Sequence, residues 1–323
     1  MYYRQLTPKL PDSSALAFGC ASIMGRIGKK QSTRALQQAI DAGITHFDIA
    51  PSYGYGEAES CLGQALKPYR DKILIATKFG ILPAKSSRAF NKLKPLLQAT
   101  MKLIPVCRPL LKKGISMANV TAIPKQFSLN IAKKNVEESL LRLNTDYIDL
   151  LFLHECTASD LTEELIAFLH SLMKEGKIRA YGAATSIDAI ASIEKQQRLE
   201  MVLQFPNGLM NSNHEQLAST ESTFSTHGAF SGIDALISLI KHCRIDLASI
   251  GLGTLQQDDV YELMLSYALL VNPKGTVISS MLTKQHLQKN LRVVEYPRFS
   301  PEQVTIFSET VKHAMNRHIG TST

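Results

Sequence analysis

The sequence predicts an α/β chain whose parallel strands close into one (β/α)8 barrel over residues 1–323, with a long basic insert at about 84–128 after the third strand. Three observations carry that expectation. Apolar strand-like runs alternate with helical patterns about eight times along the chain. The run Tyr147–His154 (YIDLLFLH) is too apolar for a strand with one wet face and suits one buried on both. Polar residues close several of these runs at their carboxyl ends, where a barrel of this kind carries its chemistry. Periodicity alone does not separate a closed barrel from an open doubly wound sheet, which stays as the competing architecture.

Each element follows in order. Leu16–Gly19 is short, apolar and ends in glycine, a first strand. Gln31–Ala42 has helical spacing and stops before Gly43, a natural helix terminator. Thr45–Ala50 reads as a strand, Glu57–Leu66 as a helix and Lys72–Thr77 as a strand. Beyond the insert, Ala132–Leu143 carries the stripe Val136, Leu140, Leu143 and leads into Tyr147–His154. Leu161–Lys174 is helical and ends near Gly176. Strand-like runs then follow at Ile178–Ala183, Met201–Gln204, Ser222–Thr226 and Thr276–Ser279, separated by helical stretches such as Gly232–Cys243 and Val260–Leu270.

Composition bounds the function classes. Hydrophobic residues at 45% and charged residues at 20% describe a packed protein rather than a disordered one. No run of about twenty apolar residues predicts a spanning helix. The start, Met1-Tyr2-Tyr3-Arg4-Gln5, lacks the basic-then-apolar pattern of a secretion signal. Five scattered cysteines (Cys20, Cys61, Cys107, Cys156, Cys243) without a C-x-x-C argue for a reducing compartment, and hence for the cytoplasm. The same spacing predicts neither a disulfide frame nor a metal site.

The net charge of +8 is local. From Ala84 to Ser128 there are nine Lys or Arg and no acid, which leaves 36 − 9 = 27 basic against 28 acidic residues elsewhere. Within the insert, Leu93, Leu97, Met101 and Ile104 recur at helical spacing, and Pro95 and Pro105 would limit that helix to about its middle. The insert follows Lys78 and so is expected to rise from the catalytic face, where its cations would suit an anionic substrate or a weak contact with an acidic membrane surface. The plainer reading is a solvated excursion packed on the barrel by its apolar stripe. Nucleic-acid binding is not expected, because the aromatics there reduce to Phe90 and Phe127 and no binding motif is present.

Four polar residues stand at strand ends: Asp48, Lys78, His154 and Gln204, with Tyr53 in the loop after Asp48. Singly, each is an ordinary turn, surface or structural residue. In the strands of one barrel they would converge on one mouth. Two other signals are weaker. Gly251-Leu252-Gly253-Thr254 resembles the start of a dinucleotide fingerprint but lacks its third glycine and following acid. His154-Glu155-Cys156 resembles a ligand cluster, yet neighbours on a strand point to opposite faces.

The stretch Gly43–Gly63 (GITHFDIAPSYGYGEAESCLG) resembles the signature of the aldo/keto reductase family. The resemblance continues through Ser14–Gly25 (SALAFGCASIMG), Ile73–Gly80 (ILIATKFG), Val136–Glu155 and Glu175–Ser186, with a weaker echo from Tyr267 to Asn290. It implies a barrel enzyme that reduces an aldehyde or ketone by hydride transfer from a nicotinamide cofactor. It also implies that Asp48, Tyr53, Lys78 and His154 form the catalytic tetrad. The chemistry suits those types. Carbonyl reduction needs a proton for the developing alkoxide. A tyrosine with a pKa near ~10 is a poor donor or acceptor near neutrality unless tuned, and a neighbouring lysine lowers that value. An aspartate keeps the lysine charged, and a histidine can hold the substrate oxygen.

For the cofactor, the resemblance implies NADP, with NAD open. Gly19 and Cys20 fall in the first matching stretch, Asp48 faces the nicotinamide side, and Gln204 matches a carboxamide contact. The family's Ser-Asn pair is replaced by Ala184 and Thr185, and the aromatic that stacks on the ring by His227. Asn290 matches an adenine-side residue. The basic residues expected near the phosphate become Ser280, Leu282 and His286, leaving Lys284 as the cation of that segment. These departures keep a second expectation in view, a barrel that binds the cofactor as a sensor or regulatory subunit with little turnover.

Overall fold

The computed structural model describes residues 1–82, 125–196, 201–217, 223–242, 247, 251 and 255–320. Eight parallel strands form a closed barrel: β3 (Leu16–Gly19), β4 (His46–Asp48), β5 (Leu74–Phe79), β6 (Ile148–His154), β7 (Ile178–Ala184), β8 (Val202–Pro206), β9 (Thr223–His227) and β10 (Thr276–Ser279), with β10 returning to β3. The closed ring removes the open-sheet alternative. Before it, β1 (Tyr3–Arg4) and β2 (Ser13–Ser14) form an antiparallel hairpin.

Strand periodicity decides what fills the barrel. On β5, Leu74, Ala76 and Lys78 share one face, and on β6 Leu150, Phe152 and His154 do. Leu74, Ala76, Leu150, Phe152, Ala180, Ala184 and Val202 form one buried cluster that also holds Leu6 and Leu10, from the connection between β1 and β2. The hairpin therefore plugs the amino-terminal end of the barrel. Gly182 makes room for this layer, since a Cβ there would lie 2.1 Å from the Val202 carbonyl and 2.7 Å from the Phe152 ring. The larger core lies outside the ring, between strands and helices.

The helices α1 (Lys29–Asp41), α2 (Ala58–Leu66), α3 (Leu129–Leu143) and α4 (Glu163–Lys174) match the predicted positions to within about three residues. The α4 start is set by Thr162, whose hydroxyl accepts the Leu165 N–H, and α3 ends where Asn144 turns left-handed at φ 52°. The helices α5 (Ile187–Gln196), α6 (Ile233–His242), α7 (Gln257–Leu270), α8 (Lys284–Glu295) and α9 (Pro301–Gly320) complete the outer layer. Of these, α5, α8 and α9, like the hairpin, have no counterpart in the sequence reading. The insert expected at 84–128 lies outside the described residues up to 124, as do Cys107, Cys243 and residues 252–254 of the glycine motif.

Candidate active site

The strands deliver a polar layer to the carboxyl mouth of the barrel. Asp48 ends β4, Lys78 is the last but one residue of β5, His154 ends β6, and Gln204 lies within β8. Asp48 and Lys78 are almost fully buried, at 5% and 2% exposure. The Lys78 ammonium donates to both Asp48 oxygens, at 2.7 and 2.8 Å, and to the Ile49 carbonyl at 2.9 Å. Its donors are thus directed at fixed acceptors. Gln204 Nε2 also donates to Asp48 Oδ2, at 2.8 Å.

Tyr53 stands above this pair. The loop after β4 makes a short 3-10 turn at Tyr53–Gly56, with Gly54 and Tyr55 both left-handed at φ 57° and 59°. Glycine is needed at position 54: a Cβ there would sit 2.5 Å from the Ile23 carbonyl oxygen. The turn brings the Tyr53 ring within 5.3 Å of Lys78 Nζ and edge-on to the His154 ring at 6.4 Å. The structure therefore brings Asp48, Tyr53, Lys78, His154 and Gln204 together at one site.

Electrostatics qualify one expectation. Burial pushes the Tyr53 hydroxyl above its ordinary pKa, and the Lys78 charge pulls it back without prevailing. Net lowering by the lysine, expected from the sequence, is not what this geometry gives. Burial would also drag the Lys78 ammonium down, but Asp48 and Tyr53 outweigh it and hold the group above its usual value. His154 is lowered to about 4, first by burial and then by Lys78, so its imidazole is neutral near pH 7. Its Nδ1 is buried with no partner among the described residues. A lone pair is cheaper to strand there than an N–H, which assigns the proton to Nε2.

The residues expected at a cofactor divide into two sets. Gly19 and Cys20 are buried behind the mouth: a Cβ on Gly19 would lie 3.0 Å from Ile278 Cγ2, and the Cys20 N–H donates to the Asp48 carbonyl at 2.8 Å. Burial raises the Cys20 thiol well above its usual pKa. Thr185 is buried, with its N–H on the Gln204 carbonyl at 3.0 Å. His227 ends β9 and is exposed. Ser280 and Lys284 are exposed at the start of α8, where Thr283 caps the helix by accepting the His286 N–H. Asn290 stands apart. It is fully buried, its Oδ1 accepts from the Tyr261 hydroxyl at 2.5 Å and its Nδ2 donates to Ser279 Oγ at 2.9 Å, so its side chain serves the packing of α7, α8 and β10.

Sequence reasoning missed His46, the inward residue one layer below Asp48. It is fully buried, with Nδ1 2.9 Å from Ser13 Oγ, and burial lowers it to about 4. Its position two residues before Asp48 was the available signal.

The chain matches the profile of the aldo/keto reductase family over residues 15–221. Among curated proteins it is 30% identical over 190 residues to the aldo-keto reductase YhdN of Bacillus subtilis, covering 57% of this chain and 47% of that one. It is 31% identical over 169 residues to the NADH-specific methylglyoxal reductase of Escherichia coli, covering 51% and 44%. The match thus spans about half the length of these curated relatives. Among solved structures, the aldo-keto reductase AKR11C1 of Bacillus halodurans in its holo form superposes with a TM-score of 0.70 at 22% identity over 96% of both chains. The glycerol dehydrogenase AKR11B4 of Gluconobacter oxydans gives 0.67 at 20% identity, over 98% of this chain and 96% of that one. At these identities the superpositions speak for the fold.

Proposed function

We propose, from the premise that this chain belongs to the aldo/keto reductase family, that it reduces an aldehyde or ketone to an alcohol at the mouth formed by Asp48, Tyr53, Lys78 and His154. One observation carries the reading: a tyrosine hydroxyl set beside a buried Lys78–Asp48 pair and edge-on to a neutral imidazole. A binding module has no need of a proton donor set between a buried ammonium and an imidazole. When bound, a reduced nicotinamide supplies the hydride.

The chain's own residues do the rest. Tyr53, protonated near pH 7 as any phenol is and held more tightly by burial, carries the proton that the developing alkoxide requires. Lys78 opposes the accumulation of negative charge on that oxygen once the proton has left. Asp48 keeps Lys78 charged and fixed in place. His154 donates from Nε2 to the substrate oxygen and holds it within reach of Tyr53.

The polar donors at the mouth suit a dinucleotide in part. Gln204, Thr185 and His227 would meet its nicotinamide side, with Gly19 and Cys20 shaping the wall behind. Exposed Ser280 and Lys284 at the amino end of α8 would meet its phosphate, where a helix terminus favours an anion. Asn290 does not fit an adenine contact while both ends of its amide are spent. With Lys284 as the cation of that segment, we keep NADP as the cofactor and NADH as its rival. The NADH-specific relative in Escherichia coli supports keeping the rival. We place the protein in the cytoplasm from its cysteine usage; no helix among the described residues is long and apolar enough to cross a membrane.

A fluorescence titration with NADPH and NADH, followed by a panel of aldehydes and ketones, tests the reading. Binding followed by consumption of the reduced cofactor, abolished by Tyr53→Phe, is expected. Binding with no turnover for any carbonyl would favour a sensor.

A further inference from the structure

We propose that Gln204 is a positioning residue that holds Asp48 from the opposite wall of the barrel and so sets how strongly Lys78 acts on Tyr53, an inference that rests on the reductase reading above. In the eight-strand ring β8 lies four strands from β4 in either direction, diametrically across the lumen. Gln204 Nε2 nevertheless reaches Asp48 Oδ2 at 2.8 Å, a hydrogen bond between residues 156 apart in sequence. Gln204 is 3% exposed and Asp48 5%, so water does not compete for the bond. A terminal amide that meets a carboxylate must present its NH2, because its oxygen would meet like charge. The orientation of Gln204 is therefore dictated by Asp48.

The consequence follows from sharing. Among the described residues Asp48 Oδ1 accepts from Lys78 alone, whereas Oδ2 accepts from both Lys78 and Gln204. The amide takes up part of the carboxylate charge that would otherwise be directed wholly at the ammonium. It also fixes the plane of the carboxylate, and with it the position of Nζ between Asp48 and the Ile49 carbonyl. Without that bond the aspartate neutralises Lys78 more fully, Tyr53 feels less positive charge, and its proton is held more tightly. The other groups coupled to this centre are Cys20 behind β3, His46 on β4, His154 on β6 and His227 on β9. Among the described residues none of them hydrogen-bonds Asp48 through its side chain, whereas Gln204 does.

The test compares the full-length protein with Gln204→Met, close in shape and unable to donate, and with Gln204→Leu as a second variant, each first checked for cooperative unfolding. Two readouts are taken: the pH profile of carbonyl reduction, and the tyrosinate absorbance titration of cofactor-free protein with Tyr53→Phe as the subtraction. The expected result is a fall in kcat/KM of about tenfold, with KM for the carbonyl held. The alkaline limb of the profile and the Tyr53 titration should both move up by about half a pH unit or more. In an Asp48→Asn background, Gln204→Met should move the Tyr53 titration no further. A limb and a titration that coincide with those of the unmodified protein overturn the proposal, even if activity drops, because lost packing or a lost cofactor contact would do that. If the unmodified protein reduces no carbonyl, the reductase reading fails on its own, and the tyrosinate titration still decides the role of Gln204.

Discussion

Two buried carboxylates, Asp48 at the carboxyl mouth of the barrel and Asp149 near its amino-terminal rim, have cationic partners at the same 2.7 Å and yet belong to different chemistry. Asp149 faces outward from β6 and is held by Arg70, Arg179 and the Ile75 N–H. Both guanidinium groups lie over the Tyr147 ring, at 3.8 and 4.3 Å, and Arg70 also donates to the Ile73 and Tyr147 carbonyls. Arginine does not give up its proton, and Arg70 spends all three of its nitrogens on Thr145, Ile73, Tyr147 and Asp149, so this cluster is a fixed staple. Asp48 is paired instead with a lysine, whose proton affinity responds to its surroundings, and a phenol and an imidazole complete the circle. Distance and burial do not separate the two sites. Identity of the cation and the company it keeps do.

The sharpest way to break this comparison is at the mouth. Tyr53→Phe should reduce turnover by about 100- to 10,000-fold while reduced-cofactor binding, read by fluorescence, is retained. At the other rim, Asp149→Asn should cost about 3–5 kcal/mol in denaturant unfolding, because it leaves two guanidinium groups without their charge partner. Its turnover per folded molecule should match the unmodified protein. Turnover lost with stability intact would mean that the two rims are not independent.

A smaller effect comes from the layer between them. His46 is lowered from 6.5 to about 4 in the folded protein. The unfolded chain takes up its proton first as pH falls, so this contribution is complete above about pH 6.5 and is lost as pH falls through about 4. The loss is about 3 kcal/mol for His46. His154 is also lowered to about 4, and burial holds His227 and His214 below their ordinary value, so His46→Gln should remove part of the pH slope in an unfolding series. An unchanged slope would place the shift elsewhere. Gly182→Ala, which forces a Cβ against Val202 and Phe152, should cost about 1–3 kcal/mol in thermal unfolding without altering the pH profile. The smallest change is Arg179→Lys on the partly exposed edge of the Asp149 staple, expected within about 1 kcal/mol.

Much of the mouth was legible because strand ends are legible. The apolar run Ile148–His154 stops at a histidine, and Leu74–Phe79 carries a single lysine near its end, so alternation alone aims both side chains inward. Other parts left no such mark. The plug of Leu6 and Leu10 lies in a connection with no periodicity, and the start signal of helix α5, Ser186 accepting the Ala189 N–H, stands at the end of a family motif that drew the reading instead. Asn290 looked available to a ligand in sequence, but the Tyr261 hydroxyl and Ser279, 29 and 11 residues away, claim it.

Local chemistry in the sequence by itself determined the strand and helix alternation, the polar residues at the strand ends and the family motifs, because side-chain period and residue type are written in consecutive positions. Only the tertiary structure decided which wall each polar group faces, that Gln204 reaches across to Asp48, and that burial outweighs Lys78 in holding the Tyr53 proton. Those outcomes depend on distances across a closed ring and on the exclusion of water from its interior, which arise only when all eight strands are in place.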